Sequence, residues 1–253
     1  MPVRAVVFDL FDTLVDLSMD GLPQVQVGER RFASTIGALH ELVQQHARIP
    51  IEALGDAIGA VDREERAPRA EAGRELPTLE RMQLLAARLG IRDPGLPARL
   101  TATHMGLFRS QVTPLPHHAE VVAKLKERGL RVAVCSNFSH TQTALRVLEE
   151  SGLRWLFDSI IVSDAVAWRK PRPEIFRTTL AALDVAPEEA LHVGDSLKAD
   201  VCGAAALGIR TAWVTRRIAV PEDALAAHEG PAPDHVVADL EEVLGLVGRP
   251  RVD

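Results

Sequence analysis

The sequence is poor in the features that announce a compartment or a ligand. It has only two cysteines, Cys135 and Cys202, far apart and in no metal-ligand spacing. They read as reduced core residues of a cytoplasmic protein. No run approaches the ~20 consecutive apolar residues that span a bilayer, so no membrane partner is expected. The opening MPVRAVVFDL holds one arginine and a short apolar run broken by Asp9, and reads as neither a secretory signal nor a transit peptide. There is no strongly basic block, and the net charge is −6, which argues against nucleic acid as a partner. Also missing are a Gly-x-x-x-x-Gly-Lys phosphate loop, a His-Glu-x-x-His pair, a Ser-His-Asp set and a Gly-rich dinucleotide turn after the first apolar run.

What is present is an ordinary globular composition: 253 residues, 47% hydrophobic and 25% charged. That length fits one large α/β domain or a core with a smaller companion. Five short apolar runs read as buried parallel strands: Val3–Phe8, Arg131–Cys135, Ser159–Val162, Leu191–Val193 and Thr211–Val214. A short sixth is expected at His235–Ala238, before a last helix at Leu240–Val247. Helical periodicity separates most of the strands: Ala119–Arg128 with Gly129 as its stop, His140–Glu150 with Ser139 as its N-cap, Pro173–Leu183, and Ala199–Leu207. This βαβα alternation predicts an α/β fold with a Rossmann-like, doubly wound parallel sheet.

The stretch from Leu14 to Pro116 breaks the rhythm. It exceeds any ordinary βα loop and shows no convincing strand. Helices are expected over Arg30–Gln45, Ile51–Ala67, Pro77–Leu89 and, more weakly, Leu96–Arg109. We read it as an inserted helical domain, residues 16–115, within a core of residues 1–15 and 116–253. Met19–Pro23 and Thr113–Pro116 would be the linkers. The charge-dense REERAPRAEAGREL reads as a solvated helix and loop.

In an open α/β sheet, ligands bind beyond the carboxyl ends of the strands. After the first strand come Asp9 and Thr13, and after the second Ser136 and Asn137. Lys170 lies in the loop after the third, and the fourth is followed by VGDSLKAD with Asp195 and Asp200. An acid, a hydroxyl, a lysine and an acid pair in this chain order resemble the haloacid dehalogenase superfamily of hydrolases. The resemblance covers the whole core, and the insert falls where that family carries a type 1 helical cap.

The resemblance implies Mg²⁺-dependent hydrolysis of a small anionic substrate, a phosphorylated metabolite, with Asp9 as nucleophile forming an aspartyl-phosphate. Asp9, Asp195 and the backbone carbonyl of Phe11 would hold the metal, with Asp200 behind them or bound through water. Lys170 would neutralise Asp9 and the phosphoryl group. Thr13, Ser136 and the backbone N–H of Asn137 would donate to phosphoryl oxygens. It also implies the strand order 5-4-1-2-3, and the chain would be a monomer or a homodimer.

One residue departs from the pattern. Phosphatases of this family usually carry an acid two residues after the nucleophile, worth roughly 10²–10⁴-fold as a general acid/base. Here that place holds Phe11, and Asp12 comes one residue too late, where it is expected to serve turn N–H groups. Three readings stay open: a phosphohydrolase whose acid comes from the insert or whose leaving group needs no proton, a 2-haloacid dehalogenase, and a module that binds without turnover. Insert candidates for the acid are His40, His46, His104 and Glu71. Arg30, Arg31, Arg66, Arg69 and Arg74 are the insert arginines that could reach an anionic substrate. A phosphonate hydrolase would need an insert lysine, and none lies between Leu14 and Pro116.

Overall fold

The run Ala5–Phe8 forms the first strand, β1, and every residue in it is buried. The structure, a computed structural model, describes residues 1–248. From β1 the chain leaves through β2 (Val15–Leu17) and makes a hairpin of β3 (Gln24–Val27) and β4 (Arg30–Ala33). Five helices follow: α1 (Ile36–Gln44), α2 (Ile51–Val61), α3 (Ala67–Glu71), α4 (Thr78–Arg88) and α5 (Leu96–Arg109). The chain returns through β5 (Val112–Pro114), which pairs antiparallel with β2. The insert has an apolar core of its own. Ile36, Leu39 and Val43 recur at helical spacing on α1 and meet Met82 and Leu85 of α4 and Leu96 and Leu100 of α5.

The remainder alternates strand and helix: α6 (Pro116–Glu127), β6 (Arg131–Ser136), α7 (Thr141–Glu150), β7 (Ser159–Val162), α8 (Ser163–Val166), α9 (Pro173–Leu183) and β8 (Ala190–Gly194). Then come α10 (Cys202–Ala205), β9 (Arg210–Val214), α11 (Pro221–Ala226), β10 (His235–Val237) and α12 (Val243–Leu246). The six-stranded sheet runs β10-β9-β8-β1-β6-β7, and the pairings within it are parallel. This contains the expected 5-4-1-2-3 order, with β10 added at the edge.

Strand periodicity sends alternate residues to opposite faces. Val6, Phe8, Val132, Val134, Leu191 and Val193 pack on one face, against α6, α7 and α12. Ala5, Val7, Ala133, Cys135 and Ala190 pack on the other, against α9 and α10. The second face carries smaller side chains. Chain order reverses around β1, which lies between β6 and β8, so the crevice of this sheet opens at the carboxyl end of β1.

Several expectations are corrected. The insert contains strands: β3 forms just after the expected Met19–Pro23 linker and β4 where a helix start was expected, because Gln24–Val27 alternates polar and apolar and Gly28 turns the chain at φ 60°. The first insert helix therefore starts at Ile36 rather than Arg30. The two crossings between core and insert are paired strands rather than loose linkers. The second insert helix continues from α2 through a π-type turn, Asp62–Arg66, into α3. On α7 the N-cap is His140, whose side chain accepts from the Thr143 N–H, while Ser139 turns to Thr78 instead. The helix after β8 begins with a π-type turn, Leu197–Val201, before the short α10. The last helix is a 3-10 turn leading into α12. The core's first helix starts earlier than expected, with Pro116 in its opening turn, where a missing N–H costs nothing.

Candidate active site

The polar residues of four strand ends meet at the carboxyl edge of β1. Asp9 follows β1 directly, and its backbone N–H donates to the Val193 carbonyl at 2.9 Å, which extends the pairing with β8 by one residue. Lys170, in the loop after α8, donates from Nζ to Asp9 Oδ1 at 2.6 Å and to Asp200 Oδ1 at 2.6 Å. Asp9, Asp195 and Asp200 each offer a carboxylate oxygen within 4.8 Å of the others. Thr13 is fully buried and its Oγ1 has no hydrogen-bond partner. Ser136 is the last residue of β6 and is buried.

Asp200 is the anchor of this group. Its Oδ1 takes both Lys170 and Nε2 of His192 (2.8 Å), and its Oδ2 takes the Ser196 N–H at 3.1 Å. The approach depends on Gly194, because a Cβ there would overlap the Asp200 carboxyl group. Ser196 caps the turn after β8 by accepting from the Ala199 N–H, and the Trp213 indole donates to the Asp195 carbonyl at 2.7 Å.

The electrostatics divide the carboxylates. Burial raises the Asp9 carboxyl to about 6 against the pull of Lys170, with Asp200 pushing it further up. Asp195 is raised to about 7 by burial and then by Asp9 and Asp200, with Lys170 giving only a small counter-pull. For Asp200, burial works the same way but is overcome by Lys170 and His192, which hold it well below the carboxylate range. Burial opposes the Lys170 charge, yet Asp200 and Asp9 keep it firmly protonated.

This donor set fits a hard divalent cation. Three crowded carboxylates face one ammonium, two of them are driven toward protonation, and a buried hydroxyl lacks a partner. Asp9 and Asp195 have oxygens to give, whereas both oxygens of Asp200 already accept protein hydrogen bonds.

Three features were missed in the sequence. The Asn137 side chain clamps the lysine loop: Nδ2 donates to the Lys170 carbonyl at 2.9 Å, and the Lys170 N–H donates to Oδ1 at 2.7 Å. His192 orients Asp200, and its presence in the otherwise apolar LHVG was the available signal. Its Nε2 faces a carboxylate and so carries the proton, leaving Nδ1 buried and unpartnered. The third is the end of the charge-dense insert segment, which is not solvated. Glu75 is buried, accepts from Ser163 Oγ at 2.5 Å and pairs with Arg169. Its N–H donates to the Ala167 carbonyl, and the Arg74 guanidinium lies 4.2 Å over the Trp168 ring. The insert is thus fastened to the loop that carries Lys170.

Phe11 points into an aromatic group, with ring centroids 5.4 Å from Phe108 of α5 and 4.9 Å from Phe138. Asp12 adopts φ 58°, accepts from the Leu17 N–H and pairs with Arg217. The insert histidines are engaged locally: His40 with the Ile49 carbonyl, His46 with Arg99 and Asp93, and His104 with Thr35. Glu71 ends α3 and is exposed. Arg69 pairs with Glu65 and Glu80, and Arg30 and Arg31 are exposed on β4. Arg66 and Arg74 line a cavity of about 320 Å³ with Arg63 and Arg169.

With this geometry in hand, the family is plain. A family model described as haloacid dehalogenase-like hydrolase matches residues 3–208, and the chain belongs to that family of hydrolases.

Among its relatives is a phosphoserine phosphatase of Thermus thermophilus, 38% identical over 151 residues, covering 59% of this chain and 58% of that one. Another is a ribulose-1,5-bisphosphate 5-phosphatase of Halopiger xanaduensis, 30% identical over 165 residues, covering 64% and 69%. The matched stretch therefore spans 58% and 69% of these curated relatives. Two solved structures share the fold. A HAD phosphatase from Thermococcus onnurineus has TM-score 0.57 and 22% identity over 99% of this chain and 100% of that chain. An L-2-haloacid dehalogenase from Xanthobacter autotrophicus, with chloropropionic acid covalently bound, has TM-score 0.58 and 23% identity over 96% and 98%. One architecture thus hosts both chemistries, and the site must decide between them. Among the described residues, no helix is long and apolar enough to cross a membrane.

Proposed function

We propose that the chain is a Mg²⁺-dependent phosphohydrolase acting on a small phosphorylated metabolite through Asp9. One observation carries this reading: Asp9 and Asp195 face each other with a single ammonium, Lys170, to balance three carboxylates. Asp9, Asp195 and the Phe11 carbonyl would hold the ion, which when bound supplies positive charge to the phosphoryl oxygens. The remaining work falls to side chains. An Asp9 oxygen attacks phosphorus, the P–O bond to the leaving group breaks with its electron pair, and an aspartyl-phosphate forms. Water then cleaves that acyl phosphate, returning Asp9 and releasing inorganic phosphate. Lys170 keeps Asp9 ionised and offers its charge to the incoming anion. Asn137 fixes the Lys170 backbone, and its own N–H, with Thr13 and Ser136, donates to phosphoryl oxygens. Residues 16–115 act as a cap that excludes water over the core of residues 1–15 and 116–253. The free cysteines, one of them buried, fit a cytoplasmic setting.

Hydrolysis of p-nitrophenyl phosphate, with and without Mg²⁺, tests this proposal, because that leaving group needs little protonation. Mg²⁺-dependent release far above an Asp9→Asn control is expected, and release equal to the control overturns it. Phe11 favours a second reading, the 2-haloacid dehalogenase, because halide leaves without a proton. Chloride release from 2-chloropropionate in EDTA would establish that reading in place of the first. Phe11→Asp sharpens the choice: in a competent phosphatase site it raises hydrolysis of an alkyl phosphate, whose leaving group needs the proton.

A further inference from the structure

A second cluster of ligating groups lies away from the carboxylates, where the insert joins the core. His117 and His118 open α6, immediately after the β5 crossing, and Asp239 follows β10. A ring nitrogen from each histidine and an Asp239 oxygen lie within 4.8 Å of one another. His118 is fully buried, whereas His117 and Asp239 are partly exposed, which leaves a path for entry from solvent.

The hydrogen-bond partners of His118 raise a problem that a neutral ring cannot solve. Its Nδ1 lies 3.0 Å from the Leu14 carbonyl oxygen, and its Nε2 lies 2.7 Å from Asp239 Oδ1. Both partners only accept, and a neutral imidazole has one N–H. With the proton on Nε2 toward Asp239, the Nδ1 lone pair is aimed at the Leu14 carbonyl; with it on Nδ1, the Nε2 lone pair is aimed into a carboxylate. A second proton or a metal ion at Nε2 satisfies both sides of the ring.

We propose that His117 Nε2, His118 Nε2 and Asp239 form a binding site for a borderline divalent cation of the Zn²⁺ class, completed by water. The Nδ1–H of His118 on a backbone carbonyl is the contact that orients a metal-bound histidine and fixes its tautomer. Asp239 Oδ1 also takes the Leu240 N–H at 2.6 Å, so the carboxylate is already positioned. His117 Nε2 stands 3.3 Å from Asp239 Oδ2. The nearest cation is Arg216, 4.0 Å from Asp239, and its guanidinium is held by both oxygens of Asp16. Ligand type separates this site from the first. Two imidazoles suit Zn²⁺ or Co²⁺, whereas an all-oxygen carboxylate group suits Mg²⁺. An ion here ties the carbonyl that precedes β2, the helix that follows β5 and the end of β10 into one joint between core and insert.

The test is titration of the full-length protein with Co²⁺ in excess Mg²⁺, read by visible absorbance. An intense band from low-coordinate, imidazole-bearing Co²⁺ is expected, saturating at one equivalent and displaced by Zn²⁺. His117→Ala, partly exposed and outside the core, and Asp239→Asn should each weaken binding by at least about tenfold. Asp195→Asn should leave the band in place, so the result is independent of the phosphohydrolase reading. Absence of the band in the wild-type protein, or unchanged affinity in His117→Ala, overturns the proposal and leaves His118–Asp239 as an ion pair.

Discussion

The carboxyl edge of the sheet and the inserted helical region use their ionisable residues in opposite ways. At the edge, Asp9, Lys170, His192 and Asp200 come from distant parts of the chain and are buried beside the half-buried Asp195, with more negative than positive charge. In the insert, several charges are answered by neighbours within it: Arg81 holds Asp62 with two hydrogen bonds at 2.7 Å, and Arg69 holds Glu65 and Glu80. The edge is left unbalanced in a way that a ligand can complete, while these insert pairs are closed among themselves. Imbalance, rather than the number of charged residues, sets the candidate site apart.

The sharpest way to break the comparison is Asp9→Asn, which keeps the shape and removes the nucleophile. Turnover of p-nitrophenyl phosphate should fall by about 10⁴-fold or more, as measured by steady-state release. Lys170→Met comes next. It strands two buried carboxylates and should cost about 3–5 kcal/mol of stability in urea denaturation, along with most of the activity.

The insert supplies the contrast in its pH response. His104 is held down to about 4, first by burial and then by Arg81 and Arg66, against an ordinary 6.5. An unfolded chain takes up the proton first, so stability is lost as pH falls from 6.5 through about 4, by up to about 3 kcal/mol. His104→Gln should flatten the stability profile across that window. The smallest effect is expected from Arg69→Ala, whose half-exposed pairs should contribute less than about 1 kcal/mol in thermal unfolding.

The sequence revealed the sheet edge better than the insert for physical reasons. Ala5–Phe8, Arg131–Ser136 and Ala190–Gly194 are short buried strands, and their apolar runs stop where the polar chemistry begins. Asp9, Ser136 and Asp195 were therefore readable as strand-end residues. The β2–β5 pairing was not, because each strand is three residues long and its partner lies at the far end of the insert. Glu75 read as one more solvated acid because its partners, Ser163 and Arg169, are distant in the chain. His192 was hidden by its strand, where a lone polar residue looks like packing. Asn137 was read for its backbone N–H, and nothing local shows that its side chain spans to the Lys170 peptide.

The antiparallel pairing of Val15–Leu17 with Val112–Pro114 shapes how the two halves can move. Were the crossings separate tethers, the insert could twist and slide as well as tilt. Bonded side by side, they would serve as a single axle, since rotation about it leaves the rungs intact. A cap hinged on these rungs would open and shut along one arc, bringing the same side of the insert toward Asp9 each time.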